Sequence, residues 1–415
     1  MRERNVILGI DGIPFKLIDN LSDKGIMPNF KDLKNQYTFL PLKSSIPHIS
    51  SVSWSSIITG KNPGEHGIYG FMEMIRGTYS LSYPNFNALK AKPFWYRNKA
   101  KKSIIYNVPS TYPAKKLNGL HIAGFVALDL EKAVYPREIL TKLNSFNYQV
   151  DVDTTLAHEQ SKELFIKELL RVLEIRKNVY KFLWNQGNWD NFMMVITSSD
   201  RIGHFLWDLY ENKDAPLHSE FLDFFKAIDN IIGEIVRNLS EEDNLIILSD
   251  HGMEPIKKNV NLNTYFQKEG LLDLSEEQKR YNRITERTKA FILDPGRIYL
   301  NMEGRFPRGV LNIKEKEEFI ELIKDVLYNL EYNGQKVIKK VYDKNEIYYG
   351  SEIDRSPDLV CIENTGFRLK GAIGKKKIFD SDIFTGKHND KAFILTKNNI
   401  DIKNPKVEDV IKFLK

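Results

Sequence analysis

Three aspartates stand at or just beyond the ends of apolar runs that are typical of buried strands. They are Asp11, Asp200 and Asp250, and the runs before them are 6–10, 192–197 and 244–248. In an open parallel sheet, the carboxyl ends of the strands form the crevice in which ligands bind. Carboxylates gathered there would repel one another unless cations neutralised them. The pattern therefore predicts a metal site at this edge of a sheet.

Histidines accompany two of the three aspartates. His204 follows Asp200 by four residues, a spacing that puts both side chains on one face of a helical turn. His251 directly follows Asp250. Mixed carboxylate and imidazole ligands favour zinc or manganese over magnesium. The sequence therefore predicts a transition-metal site in preference to a magnesium site.

Each of these signals also has a plainer interpretation. Asp11 with Gly12 is a common turn, and Asp200 with His204 is a common surface pair. The occurrence of all three aspartates at strand ends in one chain favours the metal site over these separate explanations.

Residues 47–60 are typical of a loop that enters a short helix ended by Gly60. One interpretation of Ser50 is an N-cap, whose hydroxyl satisfies a free backbone N–H group. The other uses the same position, because a helix N-terminus attracts a phosphate. A serine next to a metal ion at that point could ionise and attack phosphorus. Both interpretations remain open at this point.

The chain resembles the type I phosphodiesterase and nucleotide pyrophosphatase group of the alkaline phosphatase superfamily. The resemblance extends over nearly the whole chain, with the motifs in the family's order and spacing. Besides Ser50, these motifs are GIDG at 9–12, MPNF at 27–30, WSSIITGKNPGEHGI at 54–68, SDRIGHFLW at 199–207, SDHGM at 249–253 and GKH at 386–388.

The resemblance implies a metal-dependent phosphoric ester hydrolase with two divalent metal ions, Zn²⁺ or Mn²⁺. It assigns one metal to Asp11, Ser50, Asp250 and His251, and the other to Asp200, His204 and His388. His388 rests on the resemblance alone. Ser50 takes the position of the catalytic nucleophile and would form a seryl-phosphate type intermediate. Ser53 stands where the resemblance places a phosphate-binding asparagine, so it is the predicted substrate-binding residue.

The resemblance favours a phosphodiesterase or nucleotide pyrophosphatase acting on a small phosphoester or nucleotide-like molecule. A phosphomonoesterase or phosphomutase on the same core is the first alternative. A catalytically silent metal-binding protein is the second alternative, and it comes from a different functional class.

The strands and helices that must position these residues are those of an α/β fold. Short apolar runs alternate with longer helical patterns, which favours a mostly parallel central sheet with helices on both faces. The predicted elements include strands at 6–10, 103–106, 192–197 and 244–248, and helices at 162–184, 219–239 and 406–414. The resemblance implies an alkaline-phosphatase-like three-layer sandwich. The change of pattern after Pro255 predicts an inserted cap region at about 260–380 within a single catalytic domain over 1–415.

Composition excludes several other classes of protein. The net charge of +6 is mild for 415 residues, and no basic block is interleaved with aromatics, so we expect no stable nucleic-acid partner. The single cysteine, Cys361, lies in an apolar run and is predicted to occupy a buried strand. No apolar stretch approaches the ~18–20 residues that span a bilayer. We therefore expect a cytoplasmic protein, and the oligomeric state stays open.

Overall fold

The computed structural model describes residues 3–159, 161–276, 280–399 and 401–415. Within these ranges the strands are β1 Asn5–Ile10, β2 Thr38–Lys43, β3 Glu73–Met74, β4 Leu81–Ser82, β5 Ser103–Val108, β6 Gly119–Ala123, β7 Val134–Tyr135, β8 Asn191–Ile196, β9 Asn244–Leu248, β10 Gly252–Asn261, β11 Ala290–Leu293, β12 Arg297–Leu300, β13 Glu331–Tyr332, β14 Gln335–Lys336, β15 Ile338–Asp343, β16 Leu359–Glu363, β17 Gly366–Lys370, β18 Phe379–Asp380, β19 Gly386–Asn389 and β20 Lys391–Thr396.

The same ranges contain both α-helices and short 3₁₀ helices. The α-helices are α1 Phe15–Asp23, α2 Pro28–Gln36, α3 Ser50–Thr59, α4 Pro63–His66, α5 Leu140–Ser145, α6 Thr155–Glu159, α7 Lys162–Trp184, α8 Ser198–Glu211, α9 His218–Arg237, α10 Leu262–Lys268, α11 Lys316–Asn329 and α12 Lys344–Ile347. The 3₁₀ helices are Phe94–Tyr96, Arg137–Ile139, Arg280–Arg283, Ile353–Arg355 and Val407–Phe413. None of the helices in the described ranges is both long and apolar enough to cross a membrane.

The chain divides into two compact units. The first consists of Met1–Lys61, Asn85–Glu254 and Ile383–Lys415, and the second of Asn62–Pro84 and Pro255–Asp382. The second unit includes the region 260–380 for which a cap is predicted, and that role stays a prediction.

A large mixed sheet forms the centre of the first unit. Among the described residues it has eight strands in the order β2-β20-β9-β1-β8-β5-β6-β7. The five strands from β9 to β6 are parallel, whereas β2, β20 and β7 pair antiparallel at the edges. This arrangement confirms the predicted α/β class with a mostly parallel sheet. β1 lies between β8 and β9, so the carboxyl ends of these three strands are neighbours.

Helices cover both faces of this sheet because its central strands are apolar on both sides. Successive side chains of a strand point to opposite faces. In β1, Val6 and Leu8 belong to a core that includes residues of α1, α2, α7, α8 and α9. Ile7 belongs to a second core with residues of α3 and the 3₁₀ helix Val407–Phe413.

The helix predicted at 406–414 is present as the 3₁₀ helix Val407–Phe413. Its buried apolar residues are Val407, Val410 and Phe413, which recur every three positions. That period matches the three residues per turn of a 3₁₀ helix and places all three side chains in one row against the core.

The second unit contains smaller sheets. β11, β12, β16 and β15 form one antiparallel sheet, and β17, β10 and β18 adjoin in another. Residues of α10 and α11, including Phe266, Ile320 and Ile323, share a core with the first of these sheets. Cys361 lies in β16 and is 1% exposed, which confirms the predicted buried strand position.

The MPNF motif at 27–30 forms a helix start that is capped from another helix. Met27 provides no side-chain cap for α2. Instead, the Asp229 carboxylate of α9 accepts the N–H groups of Asn29 at 3.0 Å and Phe30 at 2.9 Å. It also accepts the Asn29 side-chain amide at 2.8 Å. The motif therefore docks α2 on α9 and takes no part in the chemistry of the strand ends.

Asp229→Ala should destabilise the protein, because two N–H groups at the start of α2 lose their acceptor. We expect a loss of about 2 kcal/mol in the free energy of unfolding, measured by urea titration. Asp223→Ala is the matched control on α9, since this exposed carboxylate only pairs with Lys226. Equal stability of the two variants would contradict the capping role.

Candidate active site

Three aspartates converge because their strands are neighbours in the sheet. Asp11 directly follows β1, Asp200 lies in the first turn of α8 after β8, and Asp250 lies just beyond β9. Two serines hold the turns together. Ser199 Oγ donates to the Asp11 carbonyl at 2.7 Å, and Ser249 Oγ donates to the Ile13 carbonyl at 2.6 Å. Both serines thus tie the turn of the following aspartate to the loop after β1.

The structure brings these aspartates together with Ser50 and the three histidines that are predicted metal ligands. We call this group of seven side chains the polar centre: Asp11, Ser50, Asp200, His204, Asp250, His251 and His388.

Ser50 is the first residue of α3, and its N-cap is Ile49. The N-cap interpretation of Ser50 is therefore wrong. Its hydroxyl lies 3.0 Å from His251 Nε2 and 3.4 Å from Asp11 Oδ1. Ser50 is 5% exposed. The start of α3 thus holds a nearly buried hydroxyl against an imidazole and a carboxylate.

All three histidines present the same nitrogen to the polar centre. Their Nδ1 atoms lie at hydrogen-bond distance from backbone carbonyls: His204 at 2.9 Å from Gly386, His251 at 3.0 Å from Gly252, and His388 at 2.9 Å from His48. A carbonyl only accepts, so each Nδ1 carries the proton. Each Nε2 therefore directs a lone pair into the centre, the tautomer that a metal ligand requires.

Gly386 allows the bond that fixes His204. A Cβ atom at this position would lie 2.1 Å from the carbonyl oxygen of Gly203 in α8. Only glycine therefore lets β19 approach α8 closely enough for the Gly386 carbonyl to reach the imidazole. This explains why the motif that ends in His388 begins with a glycine.

Two of the lone pairs meet directly. His204 Nε2 and His388 Nε2 lie 2.8 Å apart, and Asp200 Oδ1 lies 3.4 Å from the first and 3.0 Å from the second. Two unprotonated nitrogens repel each other at this distance. The arrangement requires a proton or a metal ion between them.

Each aspartate has one oxygen held by a donor and the other directed at the centre. Trp54 Nε1 donates to Asp11 Oδ2 at 2.9 Å, the Gly12 N–H donates to Asp250 Oδ1 at 3.2 Å, and Arg201 Nη1 donates to Asp200 Oδ2 at 3.0 Å. The remaining oxygen of each aspartate lies close to imidazole nitrogens of the centre.

Trp54 reaches Asp11 because β1 contains a glycine beneath its ring. A Cβ at Gly9 would lie 2.3 Å from the indole. The indole is fully buried against the strand. Gly9, Asp11 and Trp54 therefore act together, which gives a physical reason for the glycine in the GIDG motif.

The donor set fits divalent metal ions. Two groups of potential ligands have their atoms within 4.8 Å of one another: Asp11 with Asp250 and His251, and Asp200 with His251 and His388. Asp250 Oδ2 is buried and has no hydrogen-bond partner among the described residues, although it lies 3.4 Å from His251 Nε2. A buried carboxylate oxygen facing a lone pair is costly unless a cation lies nearby.

The pKa values reflect this crowding. Burial, together with the negative charge of Asp200, raises the pKa of Asp250 to about 8. Burial and the charges of Asp250 and Asp200 raise the pKa of Asp11 well above its usual range. Burial opposes ionisation of Asp200 too, but His204, His388 and Arg201 outweigh it and hold its pKa well below the usual range. Burial also lowers the pKa of His251 to about 4, so this imidazole is neutral at pH 7.

Ser53, the predicted substrate-binding residue, is not part of the polar centre. Its side chain is fully buried, and its hydroxyl hydrogen-bonds Ser45 at 2.7 Å and Ser44 at 3.1 Å. A substrate would reach it only after these hydroxyls separated.

Sequence analysis gave no role in the polar centre to Trp54, to the Gly12 N–H or to Arg201. Trp54 lies one helical turn after Ser50, and Arg201 directly follows Asp200. That proximity to predicted ligands was the available signal.

The metal-free protein should lose stability as pH rises from 6.5 to 8, because the folded protein keeps a proton on Asp250 that the unfolded chain has already lost. Asp250→Asn cannot ionise. In buffer that contains a chelator, we compare the free energy of unfolding of Asp250→Asn with that of the natural protein. The difference, variant minus natural protein, should rise by about 1–2 kcal/mol between pH 6.5 and pH 8. Thermal unfolding at the two pH values measures this, with the exposed Asp223→Asn as control. A pH-independent difference would contradict the shifted pKa of Asp250.

Similar folds occur among solved structures. Phosphonoacetate hydrolase from Sinorhizobium meliloti 1021 in complex with phosphonoacetate aligns over 100% of this chain and 94% of its own, with a TM-score of 0.66 and 15% identity. Murine ectonucleotide pyrophosphatase/phosphodiesterase 5, an inactive variant in complex with AMP, aligns over 100% of this chain and 95% of its own, with a TM-score of 0.58 and 14% identity. At these identities the similarity shows the fold, which is that of the alkaline-phosphatase-like enzymes.

Sequence comparison gives the family. None of the curated proteins compared matches the chain. The family model for type I phosphodiesterase / nucleotide pyrophosphatase matches residues 5–391, a span that includes every residue of the polar centre. The chain is a phosphoric ester hydrolase and belongs to the type I phosphodiesterase / nucleotide pyrophosphatase family.

Proposed function

We propose that the polar centre binds two divalent cations, zinc or manganese, and hydrolyses phosphodiester bonds through Ser50. One observation carries the proposal. Three imidazoles and three carboxylates, all fixed by donors or carbonyls outside the centre, direct their free lone pairs at one another beside the Ser50 hydroxyl. Mixed imidazole and carboxylate donors suit zinc and manganese.

The proposed ligand sets are those that the family resemblance implies. One cation would be held by Asp11, Ser50, Asp250 and His251, and the other by Asp200, His204 and His388. The cations would supply the Lewis acidity that makes the Ser50 hydroxyl nucleophilic and offsets charge on the phosphoryl oxygens.

The chain's own groups orient the reaction. Ser50 Oγ lies 3.0 Å from His251 Nε2 and 3.4 Å from Asp11 Oδ1, among the atoms that would hold the first cation, so its proton would pass to solvent and the oxygen would be free to attack. The start of α3 adds a positive helix end next to the incoming phosphate. Ser50 Oγ forms a bond to phosphorus as the bond to the first alcohol breaks, and the departing alkoxide takes a proton from solvent water. Water then hydrolyses the seryl ester and restores the hydroxyl.

The arrangement around Arg201 supports a diester substrate over a monoester. A phosphomonoester carries one more negative charge on its non-bridging oxygens, which a further cation would neutralise. Arg201 contacts the centre, but Asp151 and Asp200 already bind its guanidinium. The family also favours phosphodiesters and nucleotide pyrophosphates, and the similar ectonucleotide pyrophosphatase binds AMP.

Ser50→Ala should abolish turnover and keep the fold, because it removes one oxygen from a nearly buried position. We expect kcat to fall by about 10³-fold or more, measured with bis-p-nitrophenyl phosphate. Metal content should stay close to that of the natural enzyme, since the carboxylates and imidazoles remain.

The matched control is Ser51→Ala, the next residue of α3. Its hydroxyl is also buried and has no hydrogen-bond partner in the part of the chain that the structure describes. This variant should keep its activity. The reverse result, an active Ser50→Ala and an inactive Ser51→Ala, would assign the nucleophile to Ser51.

Substrate class and metal dependence can be tested in parallel. We expect bis-p-nitrophenyl phosphate to be hydrolysed with a higher kcat/KM than p-nitrophenyl phosphate. A chelator should abolish activity, and Zn²⁺ or Mn²⁺ should restore it better than Mg²⁺, because mixed imidazole and carboxylate ligands suit the first two ions. A higher kcat/KM for the monoester would favour the phosphomonoesterase or phosphomutase alternative. Bound metal without turnover on either ester would favour the silent binding protein.

A further inference from the structure

In the first unit, the Arg201 guanidinium contacts two carboxylates and one aromatic ring. Its Nε and Nη2 donate to Asp151 Oδ2 at 2.9 and 2.6 Å, and its Nη1 donates to Asp200 Oδ2 at 3.0 Å. The flat face of the guanidinium lies over the Phe125 ring, with Cζ 4.4 Å from the ring centroid. Asp151 precedes α6, and Phe125 follows β6. Side chains from separate segments therefore fix one arginine against a residue of the polar centre.

These contacts are shielded from water. The exposed fraction of the side chain is 14% for Arg201, 15% for Asp151 and 6% for Asp200. Ion pairs at such positions are screened little by solvent, and a bidentate arginine adds geometric restraint. Loss of one partner leaves a buried charge without compensation. Arg201, Asp151 and Asp200 therefore hold fixed positions, unlike the two partners of a mobile ion pair on the surface.

The contacts of Arg201 determine the orientation of the Asp200 carboxylate. Arg201 holds Oδ2, so Oδ1 is the oxygen that lies 3.0 Å from His388 Nε2 and 3.4 Å from His204 Nε2. Rotation of the carboxylate would break the bond to Nη1. The arginine thus leaves one oxygen of Asp200 for the centre.

We propose that Arg201, anchored by Asp151 and Phe125, is a positioning residue that orients Asp200 as a one-oxygen ligand of the cation shared with His204 and His388. The inference rests on the proposed function, because it takes this ligand set as given. A direct substrate contact is the competing role for Arg201. Three of its five N–H groups are already donated and one face is stacked, so little of the guanidinium is left for a phosphate.

The test measures metal binding by the full-length protein before any substrate is added. Apo-protein is titrated with Zn²⁺ and with Mn²⁺ by calorimetry, and bound metal is counted by elemental analysis. In Arg201→Met we expect one of the two sites to bind about 10- to 100-fold more weakly while the other is unchanged, as for other partners that orient metal ligands. Asp151→Asn should weaken the same site, and the double variant should be no worse than Arg201→Met.

Arg4→Met is the matched control. Arg4 also forms a bidentate pair, with Asp243, and lies 4.4 Å above the centroid of the Trp189 ring. Because Arg4 and Asp243 precede β1 and β9, they stand at the opposite end of these strands from Asp11 and Asp250. This variant should keep the affinity of both metal sites. Thermal unfolding in a chelator shows which variants are folded, and Arg201→Lys replaces Arg201→Met if the latter is not.

Kinetics at saturating metal separate a positioning role from substrate contact. A positioning residue lowers kcat and leaves KM for the diester nearly unchanged, and Arg201→Lys restores part of the metal affinity. Unchanged affinity at both sites with a raised KM would overturn the inference and assign Arg201 to the substrate. If the natural protein itself binds no metal, the proposed function fails. If it binds two and Arg201→Met also binds two with the same affinities, only the positioning role fails.

Discussion

The convergence of lone pairs in a buried space is the constraint on which the rest of the first unit depends. Three carboxylates and three imidazole nitrogens meet where little water can solvate them, and such groups repel one another. The surrounding structure offsets this repulsion with hydrogen bonds to the atom of each group that faces away from the centre. Trp54, Arg201 and the Gly12 N–H hold the carboxylates, and backbone carbonyls hold the imidazoles. The side chains of the polar centre are thus held in place by groups outside it, as the proposed cation sites require.

Sheet topology supplies the convergence. β1 lies between β8 and β9, and the three strands run parallel, so the residues that follow them meet at one edge. The apolar strands themselves are buried on both faces and provide a rigid base. The fourth component, the start of α3, is packed against β1 through Trp54 and Gly9. The same contacts that build the core therefore also place Ser50 beside Asp11.

The sequence predicted the parts of the site that depend on local pattern. Asp11, Asp200 and Asp250 were identified because each stands near the end of an apolar run, and the α/β sheet followed from the same runs. His388 was found only by resemblance, since no spacing links it to residues so far away in the chain. The anchoring of Arg201 by Asp151 and Phe125 was missed, because such contacts arise from tertiary packing between segments without a shared motif. The sequence predicted a helix near the C-terminal end but did not predict its 3₁₀ type, because apolar residues spaced three apart occur in both α-helices and 3₁₀ helices.

The distance in sequence between Asp11 and His388 has a consequence for biosynthesis. β19 leaves the ribosome long after β1, β8 and β9, so a nascent chain contains all three aspartates before it contains the last imidazole. Electrostatic repulsion between the aspartates would oppose the pairing of the central strands in such a chain. The full set of proposed metal ligands therefore exists only after β19 has been synthesised and has folded.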